Sequence, residues 1–281
     1  MTHPAQRFRA PSSIQRGTPL KSLFDDHAID LIGESFAAVH APFDARSFRK
    51  AALRGLDDLE LMPRAAHIAR SLSAHLPAAP QALSQVVIAA LGPPLQGTAG
   101  MGLAPFFYMP HAALISTALI EDYLAGMNAN KAITRRFTAE FSIRPYIIRY
   151  QDRCLADLAF WAGDGDPHVR RLVSEGSRPR LPWAGRLPAI QRDPSLTLGL
   201  LERLKDDPEL YVRRSVANHL GDIAKDHPAT AFAVCRRWLD EIAGAPKPLA
   251  AQRRWMIRHA VRLPAKQGVA EAVRLRRSAA A

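Results

Sequence analysis

The 281-residue chain is predicted to be all-α, a curved solenoid of HEAT-like helical repeats, and three observations predict it. A short pattern recurs, as Val169-Arg170-Arg171-Leu172-Val173, then Val212-Arg213-Arg214-Ser215-Val216, and more loosely Ile257-Arg258-His259-Ala260-Val261. The copies stand 43 and 45 residues apart, inside the period of about 40–47 residues of HEAT and armadillo arrays. Helix-start punctuation repeats with the pattern, at Asp166-Pro167, Asp193-Pro194, Asp207-Pro208 and Pro228; Asp caps the first turn and Pro is tolerated there because its missing N–H is one the helix leaves unpaired. No stretch alternates apolar and polar residues convincingly enough to read as a strand.

In chain order, residues 1–17 are polar and basic without periodicity and are expected to be a mobile arm, with 18–281 a single repeat domain. Thr18-Pro19 opens the first helix, whose apolar positions Leu20, Leu23, Phe24, Ile29, Ile32 and Phe36 recur at roughly helical spacing. Residues 44–76 continue as helical pieces with Phe48, Ala52, Leu56 and Leu59 as a stripe. His67 and His75 have no acidic or cysteine neighbour at ligand spacing and are assigned no chemistry. The Gly- and Pro-rich stretch 92–110 is expected to be largely loop, packed through Phe106, Phe107 and Tyr108; its glycines do not spell a phosphate-binding motif. A helix resumes from His111 to Leu124, and another covers 131–150, broken near Arg144-Pro145. Glu140 falls in that helix, four positions from both Arg136 and Arg144, the spacing of a helical salt bridge.

The repeat region then reads as helix pairs, with 166–176, 208–225 and 252–263 as equivalent inner helices lining a concave face. In the second of these, Val212, Val216, Leu220 and Ile223 form the core stripe and leave Tyr211, Arg214, Asn218 and Asp222 on another face. The 43-residue offset matches Arg171 with Arg214 and Glu175 with Asn218. Asp222 stands one turn beyond Asn218, so Glu175 and Asp222 are expected to converge from adjacent repeats. Glu175 also sits in a last helical turn, where the helix dipole disfavours negative charge by roughly 0.3–1 kcal/mol.

Composition narrows the function. Hydrophobic residues make up 48% and charged residues 23%, an ordinary globular mix. No apolar run reaches the ~18 residues of a membrane span and the N-terminus has no apolar signal core, so a soluble cytoplasmic protein without a membrane partner is expected. Two cysteines, Cys154 and Cys235, with no C-x-x-C or H-E-x-x-H, indicate buried thiols and neither a disulfide framework nor a metal site. The net charge of +12 favours an anionic partner such as nucleic acid or a membrane surface. Between Arg170 and Arg192 stand six arginines and one acid, Glu175.

Two carboxylates on a basic concave face suit a reaction that develops positive charge; as purely structural groups they would pair with Arg171 and Arg214. Trp183 is either a buried loop anchor or an aromatic face for stacking. Arg178, Arg180, Arg186 and Arg192 suit phosphate clamps or a solvated loop.

The segments EFSIRP (140–145), SEGSRPRLPWA (174–184) and SVANHLGDIAKDHP (215–228) resemble hallmark segments of the AlkC branch of the AlkC/AlkD superfamily, bacterial DNA glycosylases of alkylation repair. The similarity runs from about residue 19 to the C-terminus and includes GTAGMG. The resemblance implies that Glu175, Trp183 and Asp222 line a lesion site, joined by Glu140, and that Arg171, Arg178, Arg180, Arg186, Arg192 and Arg214 bind double-stranded DNA containing alkylated bases. It implies excision of 3-methyladenine and 3-methylcytosine by N-glycosidic hydrolysis in base excision repair, without metal or cofactor, by a monomer in the bacterial cytoplasm that joins the nucleoid when DNA-bound. Two departures stand out. Gly221 replaces the asparagine expected before the aspartate, and the early C-terminus leaves no room for the immunoglobulin-like DNA-contacting domain of some relatives. A reading of another class is a HEAT adaptor that uses the basic groove without catalysis.

Overall fold

A computed structural model describes residues 2–280. Among these residues every regular element is helical, and no strand occurs. The chain divides into two compact units, Met1–Tyr146 and Ile147–Ala281, where the sequence had suggested one domain.

The first unit contains α1 (Pro4–Arg7), α2 (Asp26–Ala37), α3 (Ala45–Leu53), α4 (Leu61–Ser73), α5 (Pro80–Ala89), α6 (Met109–Ala118) and α7 (Tyr123–Thr134), and α8 (Arg144–Arg149) crosses the division. The helix expected from Thr18 starts later. A 3₁₀ turn occupies Leu20–Leu23, and Asp25 caps α2 by accepting from the Ala28 N–H at 2.8 Å. The apolar face of α2 buries Ile29, Ile32 and Phe36 completely, each such burial being worth roughly 1.5–3 kcal/mol. Of residues 1–17, expected as a mobile arm, the part around residues 7–11 is packed, while residues 12–17 are exposed. The Phe8 ring sits 5.5 Å from Phe107, Arg7 pairs with Glu34, and the Leu103 N–H donates to the Pro11 carbonyl at 3.0 Å. Phe8, the one phenyl ring of this segment and 7% exposed, supplies the anchor.

Turn structure replaces the predicted helix over 135–143, so Glu140 lies outside any helix. Arg144 instead begins α8, with Pro145 in its first turn where proline is tolerated. The turn is held from within, because Ser142 donates to Asn130 Oδ1 at 2.6 Å. Tyr146 packs over Gly126 and donates to the Ile115 carbonyl at 2.9 Å. A Cβ at position 126 would lie 2.0 Å from the tyrosine oxygen, so only glycine fits there.

The second unit contains α9 (Gln151–Trp161), α10 (Pro167–Gly176), α11 (Pro188–Arg192), α12 (Ser195–Leu204), α13 (Leu210–Asp226), α14 (Pro228–Asp240), α15 (Lys247–Ala260), α16 (Arg262–Lys266) and α17 (Ala270–Ser278). As the 43- and 45-residue spacings required, α10 packs on α13 and α13 on α15, with Val169, Val212 and Ile257 all fully buried. The third inner helix is displaced from the predicted 252–263, because Pro248 places its first turn at Lys247 and a turn at Val261 ends it before Arg262.

The Val-Arg-Arg repeat has a structural explanation in its first arginine. Arg170 donates to the carbonyls of Asp164 and Gly165 at 2.9 and 3.1 Å, and Arg213 donates to those of Asp207 and Pro208. Each arginine thus folds back on the chain entering its own helix. Arg170 also grips the Asp207 carboxylate of the next repeat at 2.6 and 3.0 Å, locking neighbouring repeats together. The second arginines of the pairs differ: Arg214 is exposed, whereas Arg171 is partly buried.

Candidate active site

The site lies wholly within the second unit, on the last turn of α10, the loop after it and the middle of α13. Asp166 caps α10 by accepting from the His168 N–H at 2.8 Å, which fixes the register that puts Glu175 in the final turn. On α13, the core stripe Val212, Val216, Leu220 and Ile223 is at most 1% exposed, and this orientation brings Asp222 toward α10.

Glu175 and Asp222 do converge, and Arg178 is what joins them. Its Nη1 donates to Glu175 Oε1 at 2.6 Å, while its Nε and Nη2 both lie 2.7 Å from Asp222 Oδ2. Both carboxylates are buried, at 6% and 3% exposure. Glu175 is further held by Ser215, which donates to Oε2 at 2.6 Å, and by Arg171 at 3.4 Å from Oε1. Burial pushes the Glu175 carboxyl up, but Arg171, Arg178 and the Ser215 hydroxyl outweigh it and hold the group below the usual glutamate range. Asp222 differs in its second partner: Lys225 reaches Oδ1 at 2.8 Å, and the lysine side chain is 44% exposed.

This geometry corrects the reading of Arg178 as a phosphate clamp. Its side chain is 10% exposed and its donors are spent on two carboxylates, because a buried cation between two acids is satisfied before any phosphate arrives. Arg180 is likewise engaged, by Asp226 at 2.8 and 2.5 Å. Arg186, Arg192 and Arg214 are exposed, with no ion pair among the described residues. Arg171 is partly buried and lies over the Tyr211 ring, 5.2 Å from its centroid.

The two pinned arginines fix the base of the loop, and a backbone bond from Leu187 N–H to the Pro179 carbonyl at 3.1 Å closes it. Its tip presents Trp183, which is 56% exposed and so is no buried anchor. Trp183 has φ +64°, the one positive value outside glycine among the described residues. Such a conformation costs a non-glycine residue on the order of 1–3 kcal/mol and recurs at ligand-contacting sites.

Glu140 belongs to the first unit, where Thr138 donates to its Oε2 at 2.8 Å. Arg136, one of its expected partners, donates to the Gly92 and Ala132 carbonyls. Cys154 and Cys235 are free and buried, and burial pushes both thiols up to about 12, which leaves neither as a nucleophile at neutral pH.

Sequence reasoning missed Ser215, Lys225 and a cluster beyond Asp222. In that cluster Asn218 Oδ1 lies 3.0 Å from Arg262 Nη2 and 3.1 Å from His259 Nε2, and the His259 ring stacks on Trp255. Burial, Arg262 and Arg214 push His259 down to about 4, so the imidazole is neutral at physiological pH. One signal was available for Ser215: by the 43-residue offset it takes the place of Leu172, a hydroxyl in a core position. Gly221 is explained by packing. A Cβ there would lie 3.0 Å from the Ala260 carbonyl oxygen, so the glycine lets α15 approach α13 closely.

The solved structure described as Pseudomonas fluorescens alkylpurine DNA glycosylase AlkC bound to DNA containing an abasic site analog matches with TM-score 0.80 at 37% identity, covering 92% of this chain and 68% of that one. The Bacillus subtilis (strain 168) protein named Uncharacterized protein YhaZ is 38% identical over 175 residues, 59% of this chain. The match spans 47% of that relative's length. No family model matches the chain.

Proposed function

This chain belongs to the AlkC branch of the AlkC/AlkD superfamily, and from that premise we propose that it is a DNA glycosylase of alkylation repair acting on cationic N3-alkylated bases, 3-methyladenine and 3-methylcytosine, in double-stranded DNA. The observation that carries the reading is the meeting of Glu175 and Asp222, from adjacent repeats, on one buried arginine. In the reaction the C1′–N bond breaks with its electron pair going to the base, which departs neutral. Positive charge develops on the sugar, and water adds at C1′ with loss of a proton.

A cationic base needs no proton to leave, and the site matches that requirement. Glu175 is held ionised, which suits it to electrostatic stabilisation and not to general-acid work. Asp222 is the carboxylate assigned the greater share. Its Oδ1 partner, Lys225, is half-exposed and can turn to a DNA phosphate, uncovering one carboxylate oxygen, whereas both Glu175 oxygens are held by well-buried partners. Glu175 then acts chiefly as a positioning residue through Arg178. Trp183 stacks beside the lesion, and Arg186, Arg192 and Arg214 contact phosphates.

The test is single-turnover base release from duplex DNA carrying 3-methyladenine, and separately 3-methylcytosine, at saturating enzyme. Release by the parent protein, slowed in Asp222→Asn, is the expected result; Glu140→Gln in the same assay reads whether that residue contributes. DNA binding without release would replace this reading with the adaptor one.

A further inference from the structure

In the first unit, α3, α4 and the residues just after them form an open surface cleft of about 500 Å³ lined by Ser47, Lys50, Arg54, His67, Arg70 and His75, together with Ser71 and Ala51. The size falls within the range of about 300–1,000 Å³ typical of small-ligand sites. No acidic residue lines it. Lys50, Arg54 and Arg70 are exposed, and among the described residues none of the three forms an ion pair. Some other basic side chains of the unit are paired with acids, since Arg49 binds Asp26 and Asp30, Lys21 binds Glu60 and Arg7 binds Glu34, whereas the exposed Arg9, Arg16 and Arg46 stand apart from this cleft's lining.

The lining is ordered. His67 Nε2 lies 3.2 and 3.1 Å from the Ala51 and Ala52 carbonyls, so this nitrogen carries the proton and Nδ1 is left as the ring's other polar atom. Ser71, only 7% exposed, donates to the His67 carbonyl at 3.1 Å. His75 sits edge-on to Phe43, and the carboxylate acting near it, Asp44, stands outside the lining and caps α3 through the Ser47 N–H at 3.0 Å. Lys50 and Arg70 occupy the last turns of their helices, where complementing the helix dipole is worth roughly 0.3–1 kcal/mol each. That accounts for a cation at each helix end. It does not account for three unpaired cations, two imidazoles and two hydroxyls converging on one concavity from which acids are absent.

We propose that this cleft is a phosphate-binding site, separate from the Glu175–Asp222 centre. A phosphate group supplies what the cleft lacks, several acceptor oxygens and negative charge for Lys, Arg and hydroxyl donors. The phosphate can come from the DNA backbone or from a free phosphorylated small molecule. The assignment stands whether or not the chain excises bases.

The experiment compares the full-length protein with Lys50→Ala/Arg54→Ala/Arg70→Ala and with the charge-retaining Lys50→Arg/Arg54→Lys/Arg70→Lys. A short undamaged duplex is titrated by fluorescence anisotropy over a range of salt, and inorganic phosphate and deoxyadenosine monophosphate are titrated by calorimetry. All three substituted side chains are exposed, and thermal melting confirms the fold. With DNA backbone as the source, the alanine variant binds duplex about tenfold more weakly, its salt slope falls by about two to three, and the charge-retaining variant keeps most of the affinity. With a small molecule as the source, duplex binding is unchanged and the calorimetric signal for phosphate or the nucleotide is lost in the alanine variant. Duplex affinity, salt slope and calorimetric titrations all matching the parent overturn the proposal. Because binding alone is read, a parent protein that binds but releases no base defeats the glycosylase reading and leaves this result standing.

Discussion

Ser215 donates its hydroxyl to Glu175 Oε2 at 2.6 Å, joining residues 40 positions apart and tying α13 to the last turn of α10. The bond satisfies a buried carboxylate oxygen that Arg178 does not reach, and so fixes the plane in which Glu175 meets the arginine. Ser215→Ala is expected to destabilise the fold by about 1–3 kcal/mol, the cost of a buried polar group left without its donor. Base release should slow as well, since Arg178 and Asp222 lose their fixed support. Urea unfolding together with single-turnover kinetics measures both; a variant indistinguishable from the parent in stability would show that the bond positions nothing.

Asp222→Asn and Glu175→Gln should separate chemistry from architecture. One preorganised electrostatic contact typically contributes about 2.7–4 kcal/mol to a transition state, and less is expected for a base that is already cationic in the substrate and departs neutral. Asp222→Asn should show the larger drop in release rate. Glu175→Gln should show the larger loss of stability, up to roughly 3–5 kcal/mol, because Arg178 and Arg171 lose a buried counter-charge. The reverse order of rates would assign the chemistry to Glu175.

The pH dependence of stability has a defined sign at Glu175. Its carboxyl titrates lower in the fold than its ordinary value of 4.5, because Arg171, Arg178 and Ser215 outweigh a larger burial effect that acts in the opposite direction. Below the ordinary value the unfolded chain binds more protons than the native one. The contribution is therefore complete above about pH 4.5 and is lost as pH falls through the folded value. Urea unfolding from pH 7 downward should show the stability gap between parent and Glu175→Gln constant at first, then narrowing below about pH 4.5. A gap that stays constant on acidification would contradict the direction.

Trp183 is held where glycine would be at ease, with φ +64°. Trp183→Gly relieves that strain, and the greater freedom of glycine in the unfolded chain offsets part of the gain, so stability should change by no more than about 1 kcal/mol. Excision should fall through lost stacking of roughly 1–3 kcal/mol. Thermal melting and base release on the same preparation check the pair; unchanged release would remove Trp183 from the lesion site.

Duplex binding should respond to the exposed arginines and not through the buried one. Replacing Arg186, Arg192 and Arg214 with alanine is expected to lower the salt slope by about one per contact. Anisotropy titrations across salt concentrations measure it, and a slope equal to the parent's would place the phosphate contacts elsewhere.

The helical repeats were legible in the sequence because they rest on local rules. Val169, Val212 and Ile257 recur at the repeat period and all three are buried, and the Asp-Pro pairs mark helix starts because capping and the missing proline N–H act within one turn. The convergence of Glu175 and Asp222 followed from the same period, since stacked repeats carry equivalent positions to adjacent places. Tertiary structure decided what those positions touch. Arg178 looked like a phosphate clamp because a row of arginines in a loop says nothing about which of them turns inward; that depended on two buried carboxylates competing for it. Burial decided Trp183 in the opposite direction, leaving the aromatic ring at a loop tip whose base Arg178 and Arg180 had already pinned. Phe8 shows the same limit at the N-terminus: a single phenyl ring has no periodicity to announce it, and only the presence of Phe107 gives it somewhere to pack. Spacing along a chain determines which residues share a helix face. Which ions pair, and which side chains remain in water, is settled by competition among groups far apart in sequence.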